Sequence, residues 1–206
     1  SAREAWPCLF RGQLFLSAPQ AKADPVLEEK FQRLKAKLLG YLYQPRQTLR
    51  KYPTSDTSIA ARYARVYAYH KSLEWDLALA EARALVEAEP NNPFFYEIMG
   101  QILFENGRVR DSLPIFQKAV DLAPHEPLIA TALGQAMVSL EDKALMDRAI
   151  PILEAATRDD RGNSFAWFNL AKAYSWMGRD AEASLALSSI DCDSPWPGHG
   201  FPGRQG

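Results

Sequence analysis

With 206 residues, 47% of them hydrophobic, the chain is long enough for one or two domains with a continuous apolar core. Its 24 Lys and Arg against 25 Asp and Glu leave a net charge of −1, which excludes a general electrostatic affinity for nucleic acid or an anionic membrane. No stretch approaches the ~18 consecutive apolar residues of a membrane span, because the run from Cys8 to Leu16 is broken by Arg11 and Gly12.

Residues 1–23 are punctuated by Pro7, Gly12 and Pro19 too often for a long helix and read as a leader or linker. A helix is expected from Asp24, with Pro25 in its first turn and Leu27, Phe31, Leu34, Leu38 and Leu42 on one side. It stops before Pro45, and a short partner from Arg46 to Tyr52 makes residues 24–53 a degenerate hairpin. Thr54, Ser55 and Asp56 offer N-caps for a helix carrying Tyr63, Val66, Tyr67 and Tyr69, and Ala78, Ala82, Leu85 and Pro90 mark its partner, giving a unit over 59–92. This unit lacks the small residue expected in its first helix, which predicts an irregular fit against the hairpin before it.

The unit over 93–126 is the clearest. Tyr96, Met99, Gly100 and Leu103 mark one helix, Ser112, Phe116 and Ala119 a second, and Pro124 closes it. The next, over 127–163, begins with Leu133, Gly134 and Met137, but Ala149, Leu153 and Ala156 arrive late. Twelve residues separate Met137 from Ala149 where nine separate Leu103 from Ser112, so three residues are inserted in LEDKALMDR and a longer turn is expected there. In 164–190, Trp167, Leu170, Ala171 and Tyr174 are followed by Gly178, Ala183 and Leu187. After Ile190 the composition shifts to three prolines and four glycines in sixteen residues, so 191–206 reads as a loose tail and the last helix as uncapped.

Gly100 and Gly134 lie 34 residues apart, as do Pro90 and Pro124, and this period with the W-x2-L-G-x2-Y pattern at Trp167, where Ala171 stands for the Gly, resembles the tetratricopeptide repeat. The fold expected from 24–190 is all-α, a right-handed α-solenoid of helix-turn-helix hairpins. Small residues at Gly100, Gly134, Ala171, Ala183, Ala119 and Ala156 let helices approach while large ones fill the gaps.

Four stretches, RLKAKLLGYL, TLRKYPTSD, ARYARVYAYH and above all EPNNPFFYEIMGQILFENGR, resemble the helical repeat region of bacterial zinc metalloproteases of the outer-membrane-assembly type. The resemblance implies a periplasmic location and a role in holding protein substrates for a catalytic domain, itself a partner. In that family an H-E-x-x-H helix binds zinc. No such helix exists in this sequence, whose histidines are His70, His125 and His199, so no catalytic residue carries over.

In such an array the first helix of each hairpin lines the inner surface. The registers place Tyr63, Tyr67 and His70 there from one unit, Phe94, Glu97, Gln101 and Phe104 from the next, Leu128, Thr131, Gln135 and Val138 from the third, and Phe165, Phe168 and Lys172 from the last. Glu97, Thr131, Gln135 and Phe168 stand where a clamp for a terminal carboxylate would need Lys, Asn or Arg, so an apolar peptide, strand or helix is the expected partner. The competing expectation is that these aromatics pack between hairpins. His125 reads as an exposed loop residue, and Glu141, Asp142 and Asp147 as an acidic, solubilising turn. Cys8 and Cys192 form no C-x-x-C pair and read as free or buried thiols, and His199 beside Cys192 makes a weak metal case, so no metal or cofactor is expected. A homodimer through exposed array ends is a further expected association.

Overall fold

The computed structural model describes residues 45–190. The leader, the helix expected from Asp24, both cysteines, His199 and the tail lie outside the described residues. Within them the chain forms nine helices and no strand. These are α1 (Pro45–Lys51), α2 (Ile59–Lys71), α3 (Trp75–Ala88), α4 (Pro93–Glu105), α5 (Val109–Leu122), α6 (Pro127–Val138), α7 (Lys143–Asp159), α8 (Ser164–Trp176) and α9 (Asp180–Ser188). None is long and apolar enough to cross a membrane.

Each helix packs on the next, and α4 touches α6 as α6 touches α8. Contacts therefore run along the chain, which is the signature of an α-solenoid rather than a core closed on itself.

Local signals start the first helices. Ser58 Oγ accepts the Ala61 amide, Asn92 Oδ1 that of Phe94 and Asn163 Oδ1 that of Ala166, while Pro93 and Pro127 occupy first-turn positions where no amide is needed. Ser58 is the cap of α2, and Asp56, expected among the caps, instead accepts the Ser58 amide at 3.0 Å. That bond is the first cause of the lowered Asp56 pKa. Pro114 and Pro151 both sit inside second helices.

Packing within the two central hairpins depends on a small residue facing a large one. A Cβ on Gly100 would lie 2.7 Å from the Phe116 ring, and one on Gly134 would lie 2.5 Å from Leu153, distances that real atoms do not tolerate. In the unit before, Val66 stands 34 residues ahead of Gly100 and Ala82 stands 34 ahead of Phe116, and both are fully buried. Small and large have changed sides.

The junction before α2 differs from the others in one residue. Arg65 takes the packing place that Met99, Leu133 and Leu170 hold elsewhere, and it is 1% exposed. Its Nε and Nη2 donate to both Glu81 oxygens at 2.7 and 3.0 Å, and Nη1 donates to the Pro53 and Asp56 carbonyls at 2.8 Å each. Arg62 adds a third contact to Glu81 at 3.1 Å. A guanidinium therefore ties the loop after α1 to α3 where an apolar side chain would only fill space.

The three inserted residues go mainly into helix, and the turn gains a single residue. The linker from α6 to α7 is four residues, 139–142, against three in 106–108, whereas α7 has 17 residues against 14 in α5. The insertion becomes nearly one extra helical turn, started by Asp142, whose Oδ1 accepts the Leu145 amide at 3.1 Å, and anchored by buried Met146. Three residues are close to a turn of 3.6, so the apolar face survives.

Two outcomes check this packing. Gly134→Ala is expected to cost about 1–3 kcal/mol and Leu153→Ala about 2–5 kcal/mol in urea denaturation, with the double variant costing less than their sum because the new methyl enters vacated space. Additive losses would show that the two residues do not meet. Arg65→Ala should cost about 3–5 kcal/mol and speed hydrogen exchange in residues 52–58, since Glu81 keeps only its bond from Arg62 and two carbonyls lose their donor.

Candidate protein-binding wall

Because α4, α6 and α8 pack side by side, their remaining face forms one continuous wall with α2 at its end. Phe94 and Leu128 stand at the same place in α4 and α6, and each is 42% exposed. Phe165 takes that place in α8 and is half-buried, while Ala60 takes it in α2. The result is an apolar row, one side chain per repeat.

Behind the row the wall is more polar. Glu97, Gln101, Gln135 and Phe168 are half-buried and Lys172 is exposed. Gln101 Nε2 donates to Glu105 Oε1 at 2.6 Å, and His70 Nε2 lies 2.6 Å from Glu105 Oε2. Both oxygens of Glu105 are thus engaged across the junction of α2 and α4. His70 also meets Trp75 edge-on at 5.5 Å between ring centres. Glu105 was not among the residues expected here. The available signal was its position one turn after Gln101, but nothing in the sequence shows that His70 reaches it.

Three expected wall residues are corrected by their burial. Thr131 is 2% exposed, since its hydroxyl donates to the Pro127 carbonyl at 2.6 Å and accepts from Asn163 Nδ2 at 3.2 Å. Being flanked by α4 and α8 leaves α6 little free face. Tyr67 is 9% exposed, with its ring edge-on to Tyr63 at 5.3 Å, while Tyr63 tilts against Phe95 at 5.9 Å. These tyrosines fill the α2–α4 junction. Val138 is likewise buried, and Phe104 packs against the core as well as bordering the wall.

Tyr174 fixes the last wall helix to its neighbour. Its hydroxyl donates to Glu154 Oε1 on α7 at 2.6 Å, and the Arg179 guanidinium lies 4.4 Å from the ring centre. Burial, then the bond to Glu154, pushes its pKa up from 10.0 to about 12. Burial also raises that of Tyr69.

His125 is fully in solvent at 92% side-chain exposure. Of the acidic turn, Asp142 caps α7 while Glu141 and Asp147 are exposed. Among the described residues, no three His, Cys, Asp or Glu side chains gather as a metal site would require.

No family model matches the chain, and no curated protein matches it by sequence. Solved structures do match its shape. The crystal structure of YrrB, a TPR protein with an unusual peptide-binding site, aligns with a TM-score of 0.60 and 19% identity over 83% of this chain and 87% of its own. MamA from AMB-1 aligns at 0.61 with 18% identity, over 77% and 94%. MamA from residue 41 to its end, from Desulfovibrio magneticus RS-1, aligns at 0.63 with 16% identity, over 77% and 90%. The fold is that of a tetratricopeptide α-solenoid. The metalloprotease resemblance gains nothing from these comparisons.

The raised Tyr174 pKa sets a pH window. The fold holds the phenol neutral, so its contribution is complete below about pH 10, where the unfolded tyrosine ionises, and is lost as pH rises toward 12. Absorbance at 295 nm should show a tyrosine titrating near pH 12 that Tyr174→Phe removes, and that variant should lose less stability between pH 10 and 12. Ionisation of all tyrosines together near pH 10 would contradict the assignment.

Proposed function

We propose that the chain is a non-catalytic interaction module whose wall of first helices receives an apolar stretch of another polypeptide. The carrying observation is the row of Phe94 and Leu128, large apolar side chains repeated at one place on successive helices and left in water. A folded chain keeps such residues exposed at a cost of apolar hydration that a bound partner removes. Phe165 extends the row, and Gln101, Gln135 and Lys172 supply hydrogen-bond donors beside it. This matches a partner read mainly through its side chains, with few charged contacts. The peptide-binding site of YrrB supports the same reading.

The stretch EPNNPFFYEIMGQILFENGR supports a narrower alternative, in which the module holds substrates for a zinc metalloprotease domain. An H-E-x-x-H segment upstream in a longer parent sequence would be its mark.

Immobilised chain should retain partner polypeptides from a native extract, and Phe94→Ala with Leu128→Ala should lower the affinity for the retained protein about tenfold or more. Helical content should not change, and Leu185→Ala, on the 68% exposed leucine of α9, should bind as the parent does. Equal retention by the double variant would remove the wall as the binding surface.

A further inference from the structure

Three of the four turns that join first to second helices share one backbone design, and the fourth holds another left-handed residue other than glycine, Glu141 with φ of 51°. Leu73, Gly107 and Gly178 each donate their amide to the carbonyl three residues back, on His70, Phe104 and Ser175, at 3.0 Å. The following amides, of Glu74, Arg108 and Arg179, reach the carbonyls five back, on Tyr69, Leu103 and Tyr174, at 2.9, 2.9 and 2.8 Å. The first residue of each pair is left-handed, with φ of 59° for Leu73, 76° for Gly107 and 74° for Gly178. Glycine adopts this conformation freely, whereas a leucine brings its Cβ against the following carbonyl.

Burial does not offset that cost, because Leu73 is 66% exposed. One turn into α3, Leu77 is 47% exposed. The two leucines flank an open cleft of about 380 Å³ lined also by Glu74, Trp75, Asp76 and, from the next turn, Asn106. Glu74 and Asp76 are exposed carboxylates. Of the nearby cations, Arg108 is tied to Asp111 at 2.7 Å and Lys71 lies at the end of α2. The cleft thus sets two exposed leucines beside two carboxylates, away from the row of Phe94 and Leu128.

We propose that the α2–α3 turn is a second docking site, taking a peptide segment that sets an apolar side chain between Leu73 and Leu77 and a Lys or Arg against Glu74 and Asp76. The apolar pair supplies contact area and the rim carboxylates select the sign of charge beside it. The left-handed backbone of Leu73 carries an exposed leucine side chain out of the fold, where a partner can reach it.

The test titrates the whole chain with three labelled peptides, of alternating leucine and lysine, leucine and glutamate, or serine and lysine, reading anisotropy and backbone amide shifts. The leucine–lysine peptide should bind about tenfold or more tightly than the other two, with shifts centred on residues 73–77 and 106. Leu73→Gly should keep or raise the melting temperature while weakening that peptide about tenfold. Glu74→Lys with Asp76→Lys should transfer the preference to the leucine–glutamate peptide. Phe94→Ala with Leu128→Ala should leave it unchanged, which separates this site from the wall. Equal binding by Leu73→Gly, shifts centred on α4 and α6, or a dimer mass that Leu73→Gly abolishes would each overturn the proposal.

Discussion

The close approach of the two helices within a hairpin is the constraint on which the rest of the structure depends. At Gly100 and Gly134 the first helix has no side chain, and Phe116 and Leu153 occupy the space so left. The facing surfaces then interlock at interior density, and the first helices are held in series so that one face of each remains for the wall. The requirement is on combined volume, not on which side is small. Val66 with Ala82 meets it in reverse, and both are buried without exposure.

Arg65 shows how an array tolerates a polar residue at a packing position. Four of its five N–H donors are used, on Glu81 and on carbonyls of the preceding loop, so its charge is paired inside the junction. The short α1 is thereby joined to the repeats by directional bonds. Glu105 does related work one junction along, binding His70 and Gln101 and leaving little free acid on the wall. The exposed row of Phe94 and Leu128 then dominates what a partner would meet.

The stacking that builds the wall also limits it. A first helix at the edge of the array has one neighbouring first helix, but α6 has two, and the side chains of Thr131 and Val138 are consumed by that position. The turns are free of this restriction because they project past the hairpins. The strained, exposed Leu73 is therefore unexplained by packing, whereas Gly107 and Gly178 need no explanation beyond their backbone.

Periodicity in the sequence was enough to determine the helical hairpins, their phase and the small residues at their contacts, because close packing demands the same volumes every 34 residues. The exposed places of Phe94 and Leu128 followed from that phase. It could not separate a wall residue from one lost between helices, as for Tyr67 and Thr131, since helical spacing names a face but not what covers it. Nor could it show whether three extra residues extend a loop or a helix, or that a buried arginine finds Glu81 16 positions away. Those outcomes depend on partners brought together from different repeats, and only the tertiary structure decides which side chains share a junction and how much water is left beside them.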